Sequence, residues 1–327
     1  MRSKLFRRVT AALFISFFAA GACAEPAKDA AKTDVVESLS ARETNDSARV
    51  EQPAKPAEVK PLSVQQGEGG VSTQPAKPVD KTEEFTPRRG QEGKDVVWVP
   101  SPDPLVKTML DMAKVTPNDV VYDLGSGDGR TVIAAAKRGA RSTGVEFNPK
   151  MVALSKRIAQ QEGVSSKAKF VEGDIFETDF SKATVVTLFL LDDLNVKLRP
   201  KILDMKPGTR VVSNTFTMGD WKADQTRTLS DKEGCTDYCT ALLWIVPAKV
   251  QGKWRLLAGE LALTQAFQTI SGTLGGNPIS DATLRGDQIT FTAGNAQYTG
   301  RVNGGTLTGT VKSGSGTTRF TAMRVGS

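Results

Sequence analysis

The sequence predicts a doubly wound α/β domain followed by a small all-β domain, and two patterns support this fold class. In the middle of the chain, short apolar runs typical of buried parallel strands alternate with segments of helical composition. After Lys253-Trp254 the helical segments end, and short alternating strands follow one another with glycine-containing turns between them. The first pattern indicates a mainly parallel sheet covered by helices, and the second a β-meander or a small open barrel.

The α/β domain begins with a strand, a glycine turn and a helix. We predict the first strand at residues 120–124, and it leads directly into Gly125-Ser-Gly-Asp-Gly129. A helix is expected at 131–138, and the second strand at 142–147 places Glu146 at its carboxyl end. Carboxyl ends of neighbouring strands meet at the ligand crevice of a doubly wound sheet, so Glu146 should lie near the glycine turn.

The other elements of the α/β domain continue this alternation. We predict helices at residues 105–115, 151–162 and 197–206, and strands at 167–172, 183–191, 209–216 and 240–246. The segment 183–191 is almost entirely apolar, which is typical of a buried central strand. It ends at Asp192-Asp-Leu-Asn195, which we expect at the rim of the crevice.

The glycine spacing separates two kinds of nucleoside cofactor. A dinucleotide fingerprint is G-x-G-x-x-G, whereas this turn reads G-x-G-x-G and has Arg130 in the place of the third glycine. Asp123 and Asp128 would repel a pyrophosphate but suit a cationic or amino-bearing ligand. The pattern resembles the first motif of class I S-adenosylmethionine-dependent methyltransferases, which have a Rossmann-like sheet. The alternative is an ordinary strand-turn-helix with glycines only for tight packing.

That resemblance implies S-adenosylmethionine as the cofactor and assigns its contacts. Gly173-Asp174-Ile175 follows the third strand, where the class has a carboxylate facing the adenine amino group beside an apolar contact. Glu146 would accept hydrogen bonds from the ribose diol. The expected cofactor-binding residues are Asp123, Gly125, Ser126, Gly127, Gly129, Glu146, Asp174 and Ile175.

Three later motifs narrow the resemblance. Leu198-Arg-Pro-Lys, Lys206-Pro-Gly-Thr-Arg-Val-Val-Ser213 and Met218-Gly-Asp-Trp221 resemble the small lysine methyltransferases of mitochondria and their bacterial relatives. The similarity covers about residues 97–250, and the mitochondrial members modify the ATP synthase c subunit and the adenine nucleotide translocase. The resemblance implies methylation of a lysine amine in a protein or peptide. A small-molecule methyltransferase and a catalytically silent nucleoside-binding envelope protein are the alternatives.

The chain contains no histidine, which excludes Ser-His-Asp and Cys-His hydrolases. Methyl transfer tolerates this absence, because the sulfonium is already activated and catalysis can come largely from positioning. A lysine must still lose its proton, so Asp192 or Asp193 is expected to orient the amine or accept the proton, while Asn195 aligns it. Capping of the next helix is the alternative for these three residues, and the acceptor site would then lie around Trp98 or Trp221.

The N-terminal residues have the features of an exported protein. Residues 1–24 combine a basic start, an apolar stretch and an A-x-A site, as in a secretory signal peptide, although Cys23 also permits lipidation. Residues 25–94 are rich in Ala, Pro, Lys and Glu and are expected to be a disordered linker. We therefore predict a periplasmic or cell-envelope protein, with the α/β domain at 95–252 and the β domain at 253–327.

The remaining cysteines and the charge complete the sequence-based predictions. Cys235 and Cys239 form an even pair in an exported chain, which indicates a disulfide rather than a metal site. Removal of the leader's four basic residues lowers the formal charge from +7 to +3, and no basic stripe with interleaved aromatics indicates nucleic acid as a partner. In the resembling family the segment before the first helix closes over the cofactor, so Trp98 and Pro100 are lid candidates. Packing against the first helix is the alternative for Trp98.

Overall fold

The structure is a computed structural model and describes residues 85–326. The predicted signal peptide and most of the predicted linker lie outside the described residues. The described chain folds into an α/β domain and a β-barrel, which belong to one compact unit. No helix within these residues is long and apolar enough to span a bilayer.

The α/β domain is built on a seven-stranded sheet with strand order β3-β2-β1-β4-β5-β7-β6. Its elements in chain order are α1 (Asp103–Met112), β1 (Val120–Leu124), α2 (Arg130–Lys137), β2 (Arg141–Glu146), α3 (Pro149–Gln161), β3 (Ala168–Glu172), β4 (Val185–Leu188), α4 (Asp192–Leu203), β5 (Arg210–Asn214), β6 (Gln225–Thr228) and β7 (Thr240–Ile245). Strands β1 to β5 run parallel, and β7 is antiparallel to both β5 and β6. The predicted doubly wound α/β class is confirmed.

Two differences from the predicted elements affect the site. The apolar run predicted as a strand at residues 183–191 forms a strand only at β4. The residues that follow β4 leave the sheet and lie at the rim of the crevice. Helix α4 begins at Asp192, five positions before its predicted start, so the acidic rim residues lie in its first turn. Strand β6 was not predicted, because its four residues are polar and exposed and carry no apolar alternation.

The C-terminal domain is a closed eight-stranded antiparallel barrel. Its strands are β8 (Gly252–Leu256), β9 (Gly259–Ala266), β10 (Thr269–Leu274), β11 (Asn277–Arg285), β12 (Gln288–Ala293), β13 (Ala296–Asn303), β14 (Thr306–Ser313) and β15 (Gly316–Val325). The all-β prediction is confirmed, but the barrel is closed rather than open. Closure depends on the pairing of β8 with β15. The sequence pattern marks the residues of β8 only as the domain boundary. Trp254 of β8 is fully buried in the barrel core.

The barrel packs against the α/β domain through the turn between β9 and β10. The Phe267 ring at this turn stacks on Trp221 with a centroid separation of 5.8 Å. Trp221 also contacts Trp244 of β7, and only 1% of its surface is exposed. Trp221 is therefore part of the core beneath the barrel, and the suggestion that an acceptor site could form around it is wrong.

Candidate active site

A cleft lies at the carboxyl ends of the central strands, where a doubly wound sheet normally binds its ligand. Seven of the eight predicted cofactor contacts line it, namely Asp123, Gly125, Ser126, Gly127, Glu146, Asp174 and Ile175. Gly129 does not line the cleft and instead begins α2 with a left-handed backbone. A Cβ at Gly129 would collide with the side chains of Phe170 and Ser155, so this glycine permits close packing beneath the turn.

The glycine turn exposes backbone to the cleft. Gly125 and Gly127 have φ angles of +80° and +54°, which disfavour residues with a Cβ. The turn is anchored to β2, because the N–H groups of Gly125 and Ser126 both donate to the Val145 carbonyl, at 2.9 and 3.0 Å. A Cβ on Gly127 would collide with the indole nitrogen of Trp98, which covers the turn. The Trp98 indole therefore packs directly against the backbone of the turn.

The Glu146 carboxylate bridges the glycine turn and the start of α3. Its Oε2 accepts a hydrogen bond from the Gly127 N–H, and its Oε1 accepts one from the Asn148 N–H, each at 2.9 Å. These contacts fix the side chain beside the cleft, although no local sequence pattern predicts both of them. A carboxylate oxygen can accept two hydrogen bonds, so Glu146 retains capacity for a pair of ligand hydroxyls.

Asp123 is a buried carboxyl group with an unusual charge environment. It is 7% exposed, and Thr187 Oγ1 donates to its Oδ1 at 2.6 Å. Burial, and to a smaller extent the negative charges of Asp128 and Glu146, raise the pKa of Asp123 to about 7, although the Thr187 hydrogen bond acts to lower it. Within the described chain, no cationic group contributes to the shift of the Asp123 pKa. A ligand carrying an amino group or sulfonium would supply the missing positive charge.

Two further acidic residues at the cleft, Asp128 and Asp174, have basic partners. Asp128 forms an ion pair with Arg130 at 2.7 Å, and Arg130 also donates to the Ser101 carbonyl at 2.9 Å. Asp174 accepts a hydrogen bond from the Phe176 N–H at 2.8 Å and forms an ion pair with Lys94. The hydrogen bond and charge of Lys94 lower the pKa of Asp174. Asp128 thus holds Arg130, which reaches the Ser101 carbonyl. Asp174 pairs with Lys94 and also lines the cleft.

Residues 89–101 form a segment beside the cleft, which we call the lid. Trp98 and Pro100 of the lid both line the cleft. The lid closes on itself through the Gly90 N–H donating to the Trp98 carbonyl and the Trp98 N–H donating to the Gln91 carbonyl, each at 2.8 Å. The sequence pattern places residues 89–94 in the linker, yet Lys94 reaches Asp174 and lies 5.2 Å from the centroid of the Phe147 ring. No apolar pattern in that polar segment marks this contact in the sequence.

The three predicted catalytic residues lie beside the cleft rather than along it, whereas Leu190 and Leu194 line it. The Asp192 carboxylate accepts hydrogen bonds from the backbone N–H and the hydroxyl of Thr217. Asp193 is exposed and accepts from the Leu194 N–H at 2.9 Å. The side chains do not cap α4, whose N-cap is Leu191.

Asn195 is completely buried behind the same rim. Its amide nitrogen donates to the carbonyls of Phe216 and Thr217, at 3.3 and 3.1 Å, and its Oδ1 has no hydrogen-bond partner in the described chain. Asp192 and Asn195 therefore hold the loop that follows β5. Their assignment, together with Asp193, to the transfer step stays a prediction.

An aromatic cluster at this rim was not found from the sequence. It consists of Phe189, which follows β4, Phe216, which follows β5, and Tyr238. Tyr238 lies in the loop closed by the Cys235–Cys239 disulfide, whose Cα atoms are 5.7 Å apart, and the predicted pairing is confirmed. The three rings come from segments more than twenty residues apart in sequence, so no local pattern brings them together.

The strand order, the glycine turn and the acidic strand ends define a class I methyltransferase. Residues 123–225 match the family described as the ANTKMT methyltransferase domain. A protein-lysine N-methyltransferase of Saccharolobus islandicus (strain REY15A) is 43% identical over 139 residues, which cover 42% of this chain and 86% of the relative. The chain belongs to the small lysine methyltransferase family, and its cofactor is S-adenosylmethionine.

Other similarities cover different shares of the matched proteins. The Homo sapiens lysine N-methyltransferase of the ATP synthase c subunit is 34% identical over 128 residues, 39% of this chain and 54% of the relative. The chain thus spans about half the length of this animal relative. A crystal structure of an RNA methyltransferase from Salinibacter ruber with S-adenosyl-L-homocysteine is 46% identical and covers 46% of this chain and 96% of that chain, with a TM-score of 0.43. The family match ends at residue 225, before the barrel.

Proposed function

We propose that this protein transfers a methyl group from S-adenosylmethionine to the side-chain amine of a lysine in a protein of the cell envelope. The observation that carries the proposal is the pair of carboxyl groups, Asp123 and Glu146, on either side of a glycine turn that lines the cleft. The activities for which the relatives are named, which modify protein lysines, support the choice of acceptor.

The residues of the cleft fit the donor in three places. Asp123 is buried without a cationic partner among the groups that shift its pKa, and we assign it to the donor's amino group. Glu146 is held by two backbone N–H groups and is assigned to the ribose hydroxyls. Asp174 and Ile175 are assigned to the adenine. When bound, S-adenosylmethionine supplies an electrophilic methyl group on a positively charged sulfur.

The acceptor side is assigned to the rim formed by the first turn of α4. Asp193 is exposed beside Leu194, which lines the cleft, and we assign its carboxylate to orienting a lysine amine or taking its proton. Asp192 and Asn195 act in this scheme by holding the loop after β5. General-base assistance of this kind contributes about a hundredfold or more to a rate.

We also propose that the protein is exported. The N-terminal leader sequence supports export, and so does the Cys235–Cys239 disulfide, since such bonds persist mainly in oxidising compartments. Mass spectrometry of protein from fractionated cells tests this directly. We expect a mature N-terminus at Glu25 and an intact disulfide in the envelope fraction, whereas a full-length chain with free thiols in the cytoplasm would contradict export.

The proposed reaction is tested with methyl-labelled S-adenosylmethionine and the envelope proteins of the source organism. One half of the acceptor sample has its lysine amines blocked by acetylation, which provides a matched control. We expect label in the unblocked sample only, and methyllysine in its acid hydrolysate. Equal labelling of both samples, or label in another residue, would contradict lysine methylation.

A further inference from the structure

The three aromatic rings at the rim pack against one another and form a half-buried surface beside the cleft. The Phe189 and Tyr238 rings meet edge to face at 5.2 Å, and the Phe216 ring lies 6.0 Å from Phe189 and 6.1 Å from Tyr238. None of the three belongs to a buried core cluster, and each is partly exposed. Partly exposed aromatic faces of this kind attract cations and cover alkyl chains.

The cluster is continuous with the cofactor cleft. Phe189 lines the cleft, and it directly follows β4, the central strand whose carboxyl end faces the ligand side of the sheet. Phe216 follows the neighbouring strand β5, and its carbonyl accepts from the buried Asn195 amide at 3.3 Å. Asp192 holds the next residue, Thr217. Two of the three residues predicted from sequence to act on the acceptor, Asp192 and Asn195, therefore hold the segment that carries Phe216.

The third ring depends on the disulfide loop. Tyr238 has a φ angle of +52°, in the left-handed region that residues with a Cβ rarely adopt. It lies between the paired residues Cys235 and Cys239, and the preceding Asp237 forms an ion pair with Arg89 of the lid. Such a backbone conformation persists only where surrounding contacts enforce it, and it is common at ligand sites. The disulfide and the lid contact both restrain the loop that presents the tyrosine.

We propose that Phe189, Phe216 and Tyr238 form an aromatic surface that receives the side chain of the acceptor lysine, with the disulfide loop holding the third ring. This inference rests on the proposed lysine methylation. The alkyl part of a lysine would lie across the exposed parts of the rings, and its nitrogen would point past Phe189 into the cleft. The aromatic faces attract the ammonium and its methylated products, so the surface accepts a lysine before and after transfer.

The amine must be neutral when it attacks the methyl group, because its lone pair forms the new bond. Transfer forms an N–CH3 bond at the lysine nitrogen and breaks the donor's S–CH3 bond, whose electron pair stays on sulfur. The nitrogen loses one proton, which Asp193 or solvent takes up.

The first test uses Nα-acetyl-Nε-trimethyllysine methylamide as a probe with protein saturated by S-adenosylhomocysteine. We expect upfield shifts of its N-methyl proton resonances and nuclear Overhauser contacts to the rings of Phe189 and Tyr238, because the methyl groups would lie over aromatic faces. Both signals should vanish in Tyr238→Ala and persist in Phe320→Ala, which removes a half-buried ring from the barrel surface. Absence of ring contacts in the wild type would overturn the proposal.

The second test is kinetic and separates this inference from the proposed function. Tyr238→Ala should raise the KM for the protein acceptor about tenfold while the Kd for S-adenosylmethionine stays unchanged, and Tyr238→Phe should restore the KM. Unchanged cofactor binding also shows that the variant is folded. If the wild type makes methyllysine and Tyr238→Ala has the same KM, the aromatic surface does not bind the acceptor lysine, and the proposed function stands. If the wild type makes no methyllysine, the proposed function itself fails.

Discussion

The two ends of the cleft are built in different ways. The cofactor end uses backbone turns and carboxylates at successive strand ends, and its predicted contacts all lie between Asp123 and Ile175. The end that we propose as the acceptor end uses side chains from three separate segments around Phe189, Phe216 and Tyr238. The cofactor end therefore depends on local strand-turn-helix geometry, whereas the acceptor end depends on tertiary packing and one disulfide.

The charges at the two ends differ as well. Asp123 and Glu146 present carboxyl groups toward the place proposed for a cationic donor, and backbone N–H groups hold Glu146. At the acceptor end, the polar groups of Asp192 and Asn195 turn toward the protein, and aromatic faces form the open surface. Substitutions at one end should therefore change cofactor affinity, and substitutions at the other should change turnover or acceptor KM.

The largest expected effect concerns the acidic rim. The double substitution Asp192→Asn with Asp193→Asn keeps side-chain size while removing both carboxylates. We expect turnover to fall roughly a hundredfold, with cofactor affinity nearly constant, because the Asp193 carboxylate is assigned to the acceptor and Asp192 to the loop after β5. Steady-state kinetics and calorimetry measure the two quantities. Asp204→Asn, which alters an exposed carboxylate at the other end of α4, is the matched control. An equal loss of cofactor binding would assign the two aspartates to the donor instead.

The corresponding test of the cofactor end is Glu146→Ala. It should weaken S-adenosylmethionine binding by about 1 to 3 kcal/mol, since charge-assisted hydrogen bonds to the donor are lost. Glu172→Ala changes the residue that pairs with Glu146 in the adjacent strand β3, is exposed, and should leave binding unchanged. Calorimetric titration of both variants gives the comparison, and equal affinities would exclude the assigned role of Glu146.

The Asp123 carboxyl should make stability depend on pH. Its pKa of about 7 in the folded protein exceeds its ordinary value of 3.8, so the folded state retains a proton that the unfolded state releases. Folding stability therefore decreases as pH rises from about 4 to 7, and the cost persists above 7. Asp123→Asn removes a cost of up to about 4 kcal/mol at pH 8.

This prediction is checked by thermal unfolding of the cofactor-free protein at two pH values. The Asn variant should unfold at a higher temperature than the wild type at pH 8 and at a similar temperature at pH 4. The same variant should bind S-adenosylmethionine more weakly, which would show that this carboxyl group opposes stability and supports binding. A lower unfolding temperature at pH 8 would contradict the account.

The smallest expected effect concerns the lid. Lys94 forms an ion pair with Asp174, which we assign to the adenine, so the lysine and the adenine amino group compete for one carboxylate. Lys94→Met should tighten cofactor binding by less than about fivefold, because exposed ion pairs contribute at most about 1 kcal/mol. Titration at low and high salt tests this, since added salt should weaken the ion pair and reduce the difference between wild type and variant. Weaker binding in Lys94→Met would instead make Lys94 part of the cofactor site.

Local sequence patterns were sufficient for the cofactor end. The apolar run of β1, the glycine turn and Glu146 are close in sequence, and parallel pairing of β1 with β2 brings them together. Gly129 was the exception, because a glycine that permits close packing has the same local spacing as one that contacts a ligand. The sequence pattern could not separate these two reasons for glycine.

The acceptor end and the barrel closure could not be predicted in the same way. Phe189 lies within the apolar run predicted as a strand. Its ring lies at the rim because β4 ends at Leu188, earlier than predicted. In the sequence, Tyr238 is distinguished only as a residue between two cysteines. Closure of the barrel depends on the pairing of β8 with β15, which are separated by most of that domain. These features depend on tertiary contacts that no periodicity in the sequence encodes.

The most direct test of the central claim is calorimetric titration of the purified protein with S-adenosylmethionine, and in parallel with NAD. The account predicts one binding site for S-adenosylmethionine and no measurable binding of NAD, because Asp123 and the G-x-G-x-G turn suit a cationic ligand rather than a pyrophosphate. Binding of NAD, or no binding of S-adenosylmethionine, would contradict it.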